Sequence, residues 1–341
     1  MKRATNLFEQ ITSYSNIRTA WLKSLRGKRK SPAVIQFSCN VDSNLNKIQI
    51  KICSKNPGWG NYRQFKIFDP KERVISAVPF EQRIMHHAII NVLEPVFERQ
   101  MIFHTYACRK GKGTQKALFQ AQAFCRKSDY FLKLDIRKYF DTIDHDVLKA
   151  SLFRIIKERK TLVLLYGIID SYQTIPAQNG SSAKGLPIGN LTSQFFANMY
   201  LSSFDHYVLE RLKPVGYVRY MDDMLLFGSK NELQQMLVLI NEYIQNQCHL
   251  SLKKSVLSPN KNGIPFLGCM IFPSKITLLQ KAKRRKRQKL RYIQHLFLLG
   301  TITELVAQSR ITAVLAHKNK TNIFVQEYLL LETRKNFHKM K

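Results

Sequence analysis

Four residues, Tyr220-Met221-Asp222-Asp223, constrain this chain more than any others. They lie between two short apolar runs, Tyr217-Val218 and Met224-Leu225-Leu226-Phe227. The pattern reads as strand, tight turn, strand, with adjacent carboxylates at the turn. A third carboxylate, Asp135, sits in FLKLDIRKYF. On a strand there, Phe131, Lys133 and Asp135 share one face, and Leu132, Leu134 and Ile136 the other. Carboxylates on a strand and on a hairpin turn suit a site that holds two hard cations about 4 Å apart for phosphoryl transfer.

Three clustered acids need a reason in this chain, because 55 Lys+Arg stand against 23 Asp+Glu, a net charge of +32 over 341 residues. Such an excess points to a polyanion, bound largely through counterion release from phosphates. Attraction to a membrane surface is the alternative, but no long basic amphipathic anchor replaces the globular pattern. No run of about 18 apolar residues predicts a membrane span. The start, MKRATNLFEQ, lacks the apolar stretch of a secretory signal. Cysteines 39, 53, 108, 125, 248 and 269 are too scattered for a zinc knuckle and read as reduced thiols. A cytoplasmic protein is expected.

Residues 1–31 carry eight basic residues and one acid, which reads as a helical or partly disordered basic arm. A hairpin is expected from Gln64 to Ala77, turning at Asp69-Pro70, then a helix from about Phe80 to Arg99. Its adjacent His86 and His87 face different ways on a helix, which disfavours joint metal ligation. Asp144 is placed to cap a helix to about Lys160. Asn190 or Thr192 is placed to cap another, to about Leu212. A helix over 231–247 and strands over 251–257 and 264–272 follow. From Pro273 the chain is basic and helix-forming. KAKRRKRQKLR (281–291) holds eight basic residues in eleven. Apolar residues resume at Leu290, Ile293, Leu296 and Phe297, so a helix with one phosphate-facing side is expected.

Taken together, these segments resemble the reverse transcriptases, and more narrowly those of diversity-generating retroelements in the group II intron-like bacterial and phage lineage. The resemblance runs from about Gly58 to Met270. FKIFDPKERVISAVPFEQRIMHHAIINVLEPVFE and YACRKGKGTQKAL resemble the fingers motifs, LDIRKYFDTIDH motif A, GLPIGNLTSQFFANMYL motif B and RYMDDMLLF motif C. SLKKSVLSPNKNGIPFLGCMI is similar to motif D followed by the primer grip. Relatives usually carry Pro-Gln-Gly in motif B. This chain has Pro187-Ile188-Gly189, with Ser193-Gln194 following, which marks the narrower group.

The resemblance implies an α+β right-hand polymerase fold with fingers, an antiparallel-sheet palm and a helical thumb. The expected divisions are a basic N-terminal extension (1–57), fingers (58–128), palm with motif A (129–146), a fingers/palm insertion (147–186), palm with motifs B, C, D and primer grip (187–272), and a basic helical thumb (273–341). It implies catalysis and metal binding by Asp135, Asp222 and Asp223, with the Ile136 backbone carbonyl as a further ligand, holding two Mg²⁺ ions for which Mn²⁺ can substitute. It implies dNTP contacts by Arg73, Lys71, Arg109, Phe140, Ile188, Gly189 and Gln194. Phe140, five residues after Asp135, stands as a gate against a ribose 2′-hydroxyl. Ile188 replaces a glutamine and cannot supply its hydrogen bonds. Lys253 or Lys254 corresponds to a proton-donating lysine. Lys281, Lys283, Arg284, Arg285, Arg287, Lys289 and Arg291 are expected to meet nucleic acid. The implied activity is error-prone, adenine-mutagenised cDNA synthesis from a template-repeat RNA for mutagenic retrohoming. Implied partners are the template RNA, the cDNA/RNA hybrid, dNTPs and a pentameric accessory variability determinant protein. The alternatives are another bacterial reverse transcriptase, of a retron or a defence system, and an RNA-binding protein with a relict palm. A group II intron protein is expected to be longer, with a maturase extension.

Overall fold

The computed structural model describes residues 3–68, 72–178 and 180–316. Lys71, the Asp69-Pro70 turn and the last part of the expected thumb lie outside the described residues. Nine strands are described among many helices: β1 (Arg63–Phe68), β2 (Glu72–Ala77), β3 (Tyr130–Asp135), β4 (Gly216–Tyr220), β5 (Asp223–Gly228), β6 (Val256–Pro259), β7 (Ile264–Phe266), β8 (Cys269–Ile271) and β9 (Ile276–Leu278). They form a β1-β2 hairpin, a sheet ordered β4-β5-β3-β6, and a sheet ordered β7-β8-β9. Every pairing within these sheets is antiparallel.

The alternation on β3 decides which side of the central sheet meets which core. Leu132 and Leu134 enter the main core with helices Phe80–Glu98, His145–Ile155 and Leu191–Tyr200. Phe131, on the opposite face, enters a second core with Ile264, Phe266 and Ile271 of the small sheet. The face carrying Lys133 and Asp135 is therefore the one turned toward the β7–β9 side.

The Gln64–Ala77 hairpin, the helix from Phe80 and the helix Lys230–Asn246 stand where expected. The Asp144 side chain accepts from the backbone N–H groups of Asp146 and Val147 at 3.0 and 3.2 Å, as a helix cap should. Asn190 is the residue before helix Leu191–Tyr200, but its side chain makes no capping bond.

Four expectations need correction. The N-terminal segment is helical, as one of its two readings had it, but it is packed rather than an arm: helices Tyr14–Ser24 and Val41–Cys53 bury Ile17, Ala20, Leu45, Ile48 and Ile52 in the main core. Glu158 also accepts the backbone N–H groups of Leu7 and Phe8 at 3.0 and 2.7 Å. The expected strand over 264–272 folds back on itself as β7 and β8. Leu267 and Gly268 both take positive φ, +47° and +78°, the geometry of a two-residue hairpin turn that follows strand twist. The strand expected over 251–257 starts later, at Val256; Leu252 instead bridges Ile136. The helix expected to reach Leu212 is segmented into Leu191–Tyr200, Ser202–Tyr207 and a wider turn over Val208–Leu212.

Candidate active site

Antiparallel register builds the site. Asp135, the last residue of β3, pairs directly with Asp223, the first of β5. Tyr220 pairs with Asp223 across β4 and β5, leaving Met221-Asp222 as a two-residue turn. Met221 takes φ +59°, uncommon for a side-chain-bearing residue.

A fully buried ion pair lies beneath that turn. Arg219, on β4, donates to both Asp205 oxygens at 2.7 and 2.6 Å. Its remaining donors reach Asn198 and, at 3.0 Å, the Met221 carbonyl. The Tyr217 hydroxyl donates to Asp205 at 2.8 Å, and the Asn198 amide to the Ala107 carbonyl at 2.9 Å. The unusual turn is thus held by a hydrogen-bonded guanidinium in a dry interior, where such bonds are strongest.

The carboxylates share a surplus of negative charge. Burial pushes the Asp223 carboxyl up to about 6; Lys133 opposes the shift, while Asp135 and Asp222 add to it. Asp222 is also raised, first by burial and then by Asp135; its own backbone N–H, Lys253 and Arg73 work against this. Asp223 Oδ1 is buried without a well-formed hydrogen bond, and the Lys133 amine lies 3.3 Å away. Among the described residues no three acidic, histidine or cysteine groups converge as a finished metal cage. The donor set nevertheless fits a hard cation. It is all oxygen, two of its carboxyls are short of positive charge, and one buried oxygen lacks a hydrogen bond.

The structure separates the two candidate lysines. Lys253 donates its backbone N–H to the Asp135 carbonyl at 2.8 Å and its amine to Asp135 Oδ1 at 2.7 Å. Lys254 is exposed and makes no such contact. The bridge of Leu252 to Ile136 uses the N–H groups of Arg137 and Lys253, leaving the Ile136 carbonyl outside that ladder.

The other expected residues distribute as follows. Arg73 is exposed on β2, and its charge is felt at Asp222. Its neighbour Ser76 donates its N–H to the Ile188 carbonyl at 2.9 Å, tying β2 to the loop before helix Leu191–Tyr200. Gly189 takes φ +115°, and a Cβ there would lie 2.7 Å from the Ile75 side chain. This position needs glycine for both reasons. Phe140 is half-buried against the main core, with its carbonyl accepting from Leu186 at 2.7 Å. Ile188 and Gln194 are half-buried.

Arg109 is placed against expectation. Its guanidinium is 6% exposed and bonded to Glu98 at 2.7 and 3.0 Å and to the Ile102 and Thr105 carbonyls at 2.7 and 2.9 Å. It clamps the chain and has no fork left for a triphosphate. The basic residues 281–291 all lie on helix Gln280–Leu298, with Arg284, Arg287 and Arg291 exposed on one side. Ile293 packs on Ala307, Ile311 and Leu315 on the other. His86 Nδ1 and the Thr192 hydroxyl are in hydrogen-bond contact at 2.7 Å, and burial lowers the pKa of the imidazole to about 3.

Lys133, Arg219, Asp205 and Asn198 were missed by sequence reasoning. Lys133 and Arg219 carried a usable signal, since each is a basic residue set among apolar residues on a strand, where an unpaired charge is costly.

The family model "Reverse transcriptase (RNA-dependent DNA polymerase)" matches residues 66–271, more than half of the chain. The chain belongs to the reverse transcriptase family, and its fold is the α+β right-hand polymerase fold. A putative COX1/OXI3 intron 2 protein of Saccharomyces cerevisiae is 22% identical over 76% of this chain and 36% of its own length. The group II intron-encoded protein LtrA of Lactococcus lactis is 26% identical over 41% of this chain and 23% of its own. The chain thus spans about a third of the yeast protein and a quarter of the bacterial one. Telomerase from Candida tropicalis aligns at a TM-score of 0.47 and 14% identity, over 64% of this chain and 55% of its own. Among the described residues no helix is long and apolar enough to cross a membrane.

Proposed function

We propose that the chain is an RNA-directed DNA polymerase, and that it makes adenine-mutagenised cDNA from a template-repeat RNA as a diversity-generating retroelement enzyme. The carrying observation is the pairing of Asp135 with Asp223 beside a turn that presents Asp222. In this reading the β4-β5-β3-β6 sheet is the palm, β1-β2 belongs to the fingers, β7-β8 is the primer grip and helix Gln280–Leu298 opens the thumb. The divisions are those drawn from the motifs, with the N-terminal 57 residues packed on the fingers rather than free.

Asp135, Asp222 and Asp223 would hold two Mg²⁺ ions, for which Mn²⁺ would substitute. When bound, these ions acidify the primer 3′-hydroxyl and stabilise charge on the leaving pyrophosphate. Lys253, whose amine donates to Asp135 Oδ1, is the residue placed to give a proton to pyrophosphate. Arg73 binds the triphosphate with its planar fork. Gly189 admits the nucleotide to the backbone, and the Phe140 ring excludes a 2′-hydroxyl. Ile188 offers no hydrogen bond to check the incoming nucleotide. This weakens selection by about 0.5–1.5 kcal/mol per bond forgone. The basic thumb helix tracks the template–product duplex, and a pentameric accessory protein is the further partner.

The motif B sequence Ile188-Gly189 followed by Ser193-Gln194 supports the retroelement subclass. The second reading is another bacterial reverse transcriptase, of a retron or a defence system, with which the match to intron-encoded relatives is equally compatible. Primer extension on RNA, followed by cDNA sequencing with and without the accessory protein, tests both. Asp135→Ala and Asp222→Ala are expected to abolish Mg²⁺-dependent extension while RNA affinity holds. Extension by either variant overturns the catalytic assignment. Errors spread evenly over template bases favour the second reading.

A further inference from the structure

Lys133 occupies a position where a charge is costly. It lies on β3, flanked by β5 and β6, opposite Leu225 on one side and Val256 on the other. Its side chain is 22% exposed. A methionine or leucine would fill the space without desolvating an amine. The amine does two things that an apolar side chain could not. It stands 3.3 Å from Asp223 Oδ1, and it donates to the Pro265 carbonyl at 2.7 Å. The two contacts belong to different sheets. Asp223 opens β5 in the four-stranded sheet, and Pro265 is the middle residue of β7 in the three-stranded one. Phe131, two residues earlier on the same face, packs with Ile264 and Phe266 on either side of Pro265. The apolar contact and the amine therefore pin the same stretch of β7.

We infer that Lys133 is a positioning residue that ties the Asp223 carboxylate to the β7–β8 hairpin, so that the orientation of Asp223 and the seat of the primer 3′ end are set together. This rests on the polymerase reading, in which β7–β8 holds the primer. A single ammonium between a carboxylate and a carbonyl attracts both, by charge on the Asp223 side and by a hydrogen bond on the Pro265 side. A shift of β7 then either carries Asp223 with it or breaks one of the two contacts.

The test is a double-mutant cycle between Lys133→Met and Asp223→Asn, with Lys133→Arg as the conservative variant. Three quantities are read: the single-turnover extension rate with dNTP and primer affinities, Mn²⁺ binding to the nucleic-acid-free protein by electron paramagnetic resonance, and the melting temperature. Lys133→Met is expected to slow extension about ten- to a hundredfold, as a small misplacement of a reacting group does, with dNTP affinity kept. Mn²⁺ binding is expected to tighten about three- to tenfold, because a positive charge beside Asp223 has gone. Lys133→Arg should recover most of the rate. In an Asp223→Asn background, Lys133→Met should change neither rate nor Mn²⁺ binding further.

Equal losses in both backgrounds, or a fallen melting temperature with unchanged Mn²⁺ affinity, overturn the inference and make Lys133 a packing residue. If Lys133→Met does not fold, Lys133→Gln in the wild-type and Asp223→Asn backgrounds decides, since the tie predicts that loss of the charge tightens Mn²⁺ binding only when Asp223 is intact. If the wild-type chain extends no primer, the polymerase reading fails, and the Mn²⁺ cycle alone still tests the tie.

Discussion

The β4–β5 hairpin and the β1–β2 hairpin are the same element under opposite treatment. Met224 to Gly228 on β5 are buried, and the turn rests on the Arg219–Asp205 pair. Every residue of β1 is exposed, including Phe65 and Ile67, and the Lys66–Glu72 ion pair between its strands is open to solvent. Carboxylates that share cations must be held against mutual repulsion, which takes buried partners. A strand that closes over a substrate gains from few partners, because each one lost on closing would slow or oppose the motion. The two hairpins thus differ in support, and the Ser76–Ile188 hydrogen bond, with Ile75 close beside Gly189, joins β2 to the loop beside the site.

The most direct way to break this contrast is beneath the catalytic turn. Arg219→Met leaves Asp205 buried and unpaired, and is expected to cost about 3–5 kcal/mol of unfolding free energy in urea titration. Adding Asp205→Leu should return part of that loss. If Arg219→Met costs less than about 1 kcal/mol, the turn does not depend on its buried support.

Arg73→Ala probes the other hairpin. It should lower kcat/KM for dNTP about ten- to a hundredfold, through loss of a charge-assisted contact, with the melting temperature unchanged. A melting shift as large as that of Arg219→Met would show that β2 is scaffold after all. Phe65→Ser sharpens the comparison at its small end. It should move stability by no more than about 0.5 kcal/mol, as surface changes usually do. A loss above 2 kcal/mol would place Phe65 in a packed interface.

Local pattern carried the central site. The alternation around Asp135, the paired acids between two apolar runs and the Asp144 cap all depend on residues within a few positions of one another, and each stands in the structure as read. What could not be read depends on distant partners. Arg109 looked available until Glu98 and the Ile102 and Thr105 carbonyls took its donors. The N-terminal segment read as an arm because basic residues dominate its count, whereas its apolar positions matter only once helix Phe80–Glu98 is there to receive them. The fold-back at Leu267-Gly268 was hidden because leucine rarely takes a positive φ. Lys133 acquires meaning only through Pro265, 132 residues further on.

The Arg109 clamp has a consequence at the rim of the central sheet. β4 is the outer strand of the β4-β5-β3-β6 order, and an outer strand offers unpaired backbone to any other chain. Here residues 104–106 lie along it: Arg219 donates its N–H to the His104 carbonyl, and Tyr106 donates to the Arg219 carbonyl, both at 3.0 Å. Arg109 fastens that segment by gripping Thr105. The guanidinium expected to meet a nucleotide instead keeps a sheet edge shut. Its removal would appear less as weakened substrate binding than as self-association, with chains adding to one another strand by strand.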